Sequence, residues 1–77
     1  MNESTLTLRD LTPDEVAELY ARRLARMSQL RRQFARELNE RGHVFLMACI
    51  AGAYYTLYDV GREALARRAL FDGQTLP

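Results

Sequence analysis

The chain has 77 residues and contains no lysine, one cysteine, one histidine and only two serines. Without lysine it lacks the residue that forms Schiff bases and the residue that binds phosphate in a P-loop. The single cysteine excludes an internal disulfide. Neither serine has a histidine–acid pair placed to activate it as a nucleophile. We therefore expect a protein that is not an enzyme and that uses no cofactor.

One pair of residues has a spacing known from metal sites. Glu40 and His43 form the Glu-x-x-His pattern of di-iron helical bundles. Such sites also need carboxylates from facing helices, and His43 is the only histidine of the chain. We interpret the pattern as part of a surface turn, and we expect no metal site.

The length of the chain limits how well it can bury its own core. A single domain of this size buries only about 60–65% of the surface that its unfolded chain exposes. Small chains without disulfides or metals often gain stability by oligomerising. Cys49 lies among apolar residues and is interpreted as an inert buried thiol, with a bridge between two copies as the alternative. The lone thiol and the lack of a signal peptide predict a cytoplasmic location.

The most distinctive segment is the uncharged run at residues 44–58. Its length and its alanines favour a helix, and it is apolar on nearly all sides, as in a core or a membrane. One neighbouring helix covers only one side of it, so we expect self-association through this segment. The predicted interface consists of Phe45, Met47, Ala48, Ile50, Gly52 and Tyr55. A membrane span is the alternative, although the run is shorter than the roughly 20 apolar residues that a span needs.

A first helix is predicted to begin at Thr12 and to extend to about Arg41. Thr12 is a candidate N-cap, Pro13 suits the first helical position, and Glu15 completes a Thr-x-x-Glu capping box. Apolar residues then recur at helical spacing, namely Val16, Tyr20, Leu24, Met27, Leu30, Phe34 and Leu38. Gly42 is the predicted turn, because glycine readily adopts the left-handed conformation that ends helices. A continuous helix through Gly42 is the structural alternative.

A second helix is predicted over residues 43–60, followed after Gly61 by its continuation or by a short third helix over 61–72. Asp72 and Gly73 are expected to end it, with a frayed tail at 74–77 and an extended N-terminal arm at 1–11. Residues 12–73 then form one helical domain. The expected fold is all-α, an antiparallel helical hairpin that assembles with a second copy into a four-helix bundle or a larger helical assembly.

Positive charge is concentrated in the middle of the first helix. Residues 1–18 carry a net charge of −4, residues 19–36 a net charge of +6, and residues 37–77 a net charge of −1. The predicted basic face, on the side away from the apolar stripe, contains Arg22, Arg26, Arg32 and Arg36. Arg23 lies nearer the stripe and is expected to pair with Asp59 or Glu63.

The basic face predicts an acidic protein partner, or alternatively phosphate contacts in a small nucleic-acid-binding bundle. The overall charge of +1 and the isoelectric point of about 7.9 weigh against a dedicated nucleic-acid binder. A solvated helix face is the third interpretation. The sequence thus predicts a protein–protein interaction module, either a homo-oligomer or a subunit of a larger assembly.

Overall fold

The computed structural model of this protein describes residues 10–75, and these form three α-helices with no β-strand among them. Helix α1 spans Pro13–Gln33, α2 spans Glu40–Asp59 and α3 spans Glu63–Thr75. The all-α prediction and the predicted third helix are confirmed. Nearly all of the predicted N-terminal arm lies outside the described residues.

Helix α1 begins as its local chemistry predicts. The backbone N–H of Thr12 donates to Glu15 Oε1 at 2.9 Å, and the backbone N–H of Glu15 donates to Thr12 Oγ1 at 3.2 Å. Pro13 occupies the first helical turn, where its missing N–H is no loss. The first backbone N–H groups of a helix have no carbonyl partner within the helix. The capping box supplies side-chain oxygens that accept from two N–H groups at this end.

The end of α1 corrects the prediction that this helix continues to about Arg41. It ends at Gln33, and a short connection leads to Asn39, the N-cap of α2. The Asn39 side chain accepts a hydrogen bond from the backbone N–H of Gly42 at 2.8 Å. Asparagine favours such a cap over a helix interior, because its side chain competes for backbone donors. The continuous-helix alternative is excluded by the same break.

Gly42 is therefore not the turn but part of the first turn of α2. A Cβ atom placed on Gly42 would lie 2.9 Å from Leu38 Cδ2, so the glycine leaves room for the Leu38 side chain. The left-handed glycine is instead Gly61, with φ of +78°. Its N–H donates to Tyr58 O, and the N–H of Arg62 donates to Leu57 O, at 3.0 and 2.8 Å. These two bonds form a Schellman motif that ends α2.

Helix α3 is also longer than predicted, since it continues through Asp72 and Gly73 to Thr75. The predicted stop at Gly73 and the frayed residues 74 and 75 are thus corrected, and residues 76–77 lie outside the described part. Gly73 is buried against α1: a Cβ atom there would lie 2.4 Å from Ala25 O and 2.6 Å from Ser28 Cβ. This glycine lets two helix backbones approach closely.

Two polar contacts show how α1 and α3 run relative to each other. Asp14, near the start of α1, forms an ion pair with Arg62, just before α3. Arg32, near the end of α1, donates through Nε to Gly73 O at 3.4 Å, near the end of α3. The two helices therefore run parallel, and α2 returns antiparallel to α1 as the other arm of a helical hairpin.

The core lies where the three helices meet and is built largely from small residues. Its fully buried large side chains are Leu24 and Leu57. The core consists of Ala17, Ala21, Leu24, Ile50, Ala53, Leu57, Ala66 and Ala69. Within the predicted apolar stripe of α1, only Leu24 is buried, whereas Tyr20 and Phe34 are exposed. The stripe that α1 buries most deeply is displaced toward Ala17, Ala21 and Ser28 because α3 packs there.

Candidate interaction surface

The inward side of α2 fills the core, and its outward side is open to solvent. Ile50, Ala53 and Leu57 are buried. On the opposite side, Phe45 is 68% exposed and Tyr55 is 60% exposed. We define the α2 outer face as the exposed residues Val44, Phe45, Met47, Ala48, Ala51, Gly52, Tyr55 and Tyr58. It carries no charged side chain.

Aromatic rings line the second half of this face. Tyr54 and Tyr55 meet edge to face with their ring centroids 5.5 Å apart, and Tyr55 and Tyr58 do so at 6.3 Å. Tyr54 is anchored, since its hydroxyl donates to Glu63 Oε2 at 3.3 Å. Edge-to-face is a preferred arrangement of aromatic rings, and it places the exposed Tyr55 and Tyr58 next to each other on the surface.

The six residues predicted for an oligomer interface divide into two groups. Five of them are exposed and belong to the α2 outer face: Phe45, Met47, Ala48, Gly52 and Tyr55. Ile50 is only 8% exposed and packs in the core of its own chain. Its place in the predicted interface is wrong, because the inward side of α2 is already covered by helices of the same chain.

The predicted basic face is exposed but does not form one helical face. Arg22 and Arg26 lie on the outward side of α1, and Arg26 donates to Gln29 Oε1 at 3.0 Å. Arg32 reaches Gly73 O on α3, and Arg36 lies in the α1–α2 connection, beyond the end of the helix. The grouping on one face is corrected, since it assumed a helix that continues past residue 36.

The expected ion pair of Arg23 with α2 or α3 is absent among the described residues. Arg23 is exposed and lies beside Leu19 and Tyr20. Glu63 instead accepts from Arg67, one helical turn along α3, at 2.8 Å. The Tyr54 hydroxyl, together with Glu63, raises the pKa of the Arg67 guanidinium. This partly buried cluster joins α2 to α3, and it does not include Arg23.

Two residues considered for chemistry have structural surroundings. The His43 Nε2–H donates to Ala35 O at 3.2 Å, which ties the start of α2 to the α1–α2 connection. Ser28 is buried at the close contact with Gly73, and Ser4 lies outside the described residues. Within residues 10–75, no group of three side chains suited to metal binding comes together.

Sequence reasoning missed the contact between α1 and α3. The residues that form it are small: Ala17, Ala21, Ala25 and Ser28 on one side, and Ala66, Ala69 and Gly73 on the other. The spacing of the small residues was visible in the sequence, as Ala17, Ala21 and Ala25 recur every four residues. Such spacing permits close helix approach, but the larger apolar residues of α1 gave the stronger periodic signal.

No protein-family model, curated protein or solved structure matches this chain. None of the three helices described within residues 10–75 is both long enough and apolar enough to cross a membrane.

Proposed function

We propose that this chain is a non-enzymatic helical interaction module that self-associates through the α2 outer face. The observation that carries this proposal is the exposure of a whole apolar helix face although α1 and α3 both pack against α2. Contiguous exposed apolar surface of this kind marks interfaces in folded proteins.

The energetics favour covering this face. Burying an exposed phenylalanine or tyrosine ring removes a large apolar area from water, and full burial of a phenylalanine stabilises by about 1.5–3 kcal/mol. Phe45, Tyr55 and Tyr58 are each more than half exposed in the single chain. Ala48 and Gly52 lie among them and let a second helix come close. A second copy supplies such a helix.

The proposed assembly corresponds to the larger helical assembly that the sequence analysis expected as the alternative to a four-helix bundle. Each chain already packs three helices together. Two copies that meet through α2 therefore bring six helices together, with the two α2 helices at the centre. Each α2 would then have apolar neighbours on both its inward and its outward side.

A second surface supports the interaction role. Arg22 and Arg26 are exposed on the outward side of α1. Neither takes part in the ion pairs of the described residues, which join Arg62 to Asp14 and Arg67 to Glu63. Exposed guanidinium groups that form no ion pair within the described residues are suited to an acidic protein partner.

The test of self-association is Phe45→Ser in the full chain. We expect wild-type protein to be a dimer or larger at micromolar concentration, with a melting temperature that rises with concentration. Phe45→Ser should weaken the association at least about tenfold, because each copy loses a buried ring. Analytical ultracentrifugation in detergent-free buffer measures both proteins.

The matched control is Phe71→Ser, because Phe71 is 61% exposed on α3, away from the α2 outer face. This variant should associate like the wild type. A monomeric wild type with a concentration-independent melting temperature would contradict the proposed self-association. Equal weakening by both substitutions would show that a different surface forms the contact.

A further inference from the structure

The outward side of α2 contains a heptad pattern that ends in opposite charges. Steps of four, three, four, three and four residues connect Arg41, Phe45, Ala48, Gly52, Tyr55 and Asp59, which we call the α2 seam. Alternating steps of four and three place side chains along one side of a helix, as in coiled coils. Arg41 and Asp59 are separated by 18 residues, which is five helical turns, or about 27 Å.

The α2 seam faces away from the core of its own chain. At about 100° per residue, Ile50 and Leu57 project from the opposite side of the helix, and both are buried. All six seam residues are exposed. A Cβ atom placed on Gly52 would meet nothing within 4 Å, so the middle of the seam is open.

The charges at the two ends of the seam are available for a partner. Arg41 lies in the first turn of α2 and Asp59 is its last residue. Neither takes part in the ion pairs of the described residues, which use Arg62, Arg67, Asp14 and Glu63. The seam therefore has an exposed arginine at one end and an exposed aspartate at the other, and the residues between them are uncharged and partly aromatic.

We propose that the seam binds the same seam of a second copy, antiparallel, about a two-fold axis at the level of Ile50. This inference rests on the self-association proposed above and specifies its orientation and register. In this arrangement Arg41 of each copy faces Asp59 of the other, and Phe45 faces Tyr55. Ala48 faces Gly52 at the centre, where small residues allow close approach. Every contact occurs twice, as an isologous interface requires.

The parallel arrangement of the same seam lacks this complementarity. It would place Arg41 against Arg41 and Asp59 against Asp59, and like charges in contact are unfavourable. It would also align the two helix dipoles in the same direction, whereas the antiparallel arrangement sets them in opposition. Charge complementarity therefore favours a second copy, in the antiparallel orientation, as the partner that binds the seam.

A charge-swap experiment tests the register. Arg41→Asp or Asp59→Arg alone replaces two attractive contacts per dimer by two repulsive ones, and each should weaken the dimer about tenfold at low salt. The double variant Arg41→Asp/Asp59→Arg restores opposite charges and should return the dissociation constant to within about threefold of wild type. Sedimentation equilibrium of the full chain measures all four proteins.

These swaps should not harm the folded chain itself. Each places an acid at the first turn of α2 or a base at its last turn, where the helix dipole favours them. Arg68→Asp is the matched control for Arg41→Asp, because it makes the same change in net charge at an exposed position of α3, outside the seam. It should leave the dimer unchanged.

The outcomes separate this inference from the broader proposal. A monomeric wild type would overturn both the self-association and the register. A dimer that both single swaps leave unchanged, or that the double variant fails to restore, would overturn the antiparallel register while self-association stands. The register is supported if each single swap weakens the dimer and the double variant restores it. The differences in dissociation constant should then become smaller in high salt, because salt screens the charges.

Discussion

Gly52 and Gly73 show how much the surroundings of one residue type decide its role. Both lie inside helices. A Cβ atom on Gly52 would meet no other atom within 4 Å, whereas one on Gly73 would lie 2.4 Å from Ala25 O. Glycine in a helix interior costs about 1 kcal/mol relative to alanine. At Gly73 that cost is offset by the close contact of α1 with α3.

Alanine substitution at these two glycines should therefore have opposite effects. Gly52→Ala should stabilise the monomer by about 0.5–1 kcal/mol, because it removes the backbone entropy cost of glycine without a clash. Gly73→Ala should destabilise it by about 1–3 kcal/mol, because the added methyl group overpacks against backbone. Urea denaturation at a concentration where the chain is monomeric measures both. If Gly73→Ala were as stable as wild type, the close approach of α1 and α3 would be wrong.

At the scale of the helices, α1 and α2 are each started by a side chain that binds the backbone of the first turn. Thr12 and Glu15 bind each other's backbone N–H groups at the start of α1, and Asn39 binds Gly42 at the start of α2. The hydrogen bond that Glu15 accepts from the Thr12 backbone, and then the one with the Thr12 side chain, lower the pKa of the Glu15 carboxyl. The stability of the start of α1 therefore depends on pH.

The sign of this linkage gives a prediction for Thr12→Ala. Because the folded-state pKa of Glu15 is lowered, its stabilising contribution is present above the unfolded-state pKa and is lost as the pH falls through the folded-state value. Removing the Thr12 hydroxyl should raise the pKa of Glu15 toward its ordinary value. An NMR titration of the Glu15 carboxyl carbon in both proteins measures the change. Identical Glu15 titrations would show that the Thr12 hydroxyl does not lower the pKa of Glu15 in solution.

At the scale of the whole molecule, the basic residues Arg22 and Arg26 and the α2 outer face lie on different helices. The arginines of residues 19–36 are all exposed, and the ion pairs of the described residues use none of them. The α2 outer face carries no charge. An acidic partner and a second copy could therefore bind without competing for the same side chains.

This separation predicts that the double variant Arg22→Gln/Arg26→Gln loses affinity for an acidic polymer but still self-associates. Binding to polyglutamate should weaken roughly 2- to 5-fold per arginine removed, and it should weaken for the wild type as salt rises. Arg67→Gln is the control, because Arg67 is already paired with Glu63. Fluorescence titration at two salt concentrations measures each protein. Tight, steeply salt-dependent binding to duplex DNA instead would favour the nucleic-acid alternative.

Several features of this protein follow from local sequence alone. The start of α1 depends on residues 12–15, which lie within hydrogen-bonding reach of one another in any fold that contains this helix. The break after α2 follows from Gly61, which adopts the positive φ that other residues rarely take. The uncharged run at 44–58 likewise predicts a helix with apolar residues on both its inward and its outward side, as the structure shows.

Other features were decided only by the way the helices pack. Apolar periodicity marked the large residues of α1, yet only Leu24 of them is buried, and the small residues Ala17, Ala21 and Ser28 are buried beside it, because α3 packs closely against this side. The burial of Ile50 has the same origin, since it depends on which surfaces meet after the chain turns. Hydrophobicity and spacing are properties of single segments, whereas close packing is a property of pairs of segments that only the tertiary structure brings together.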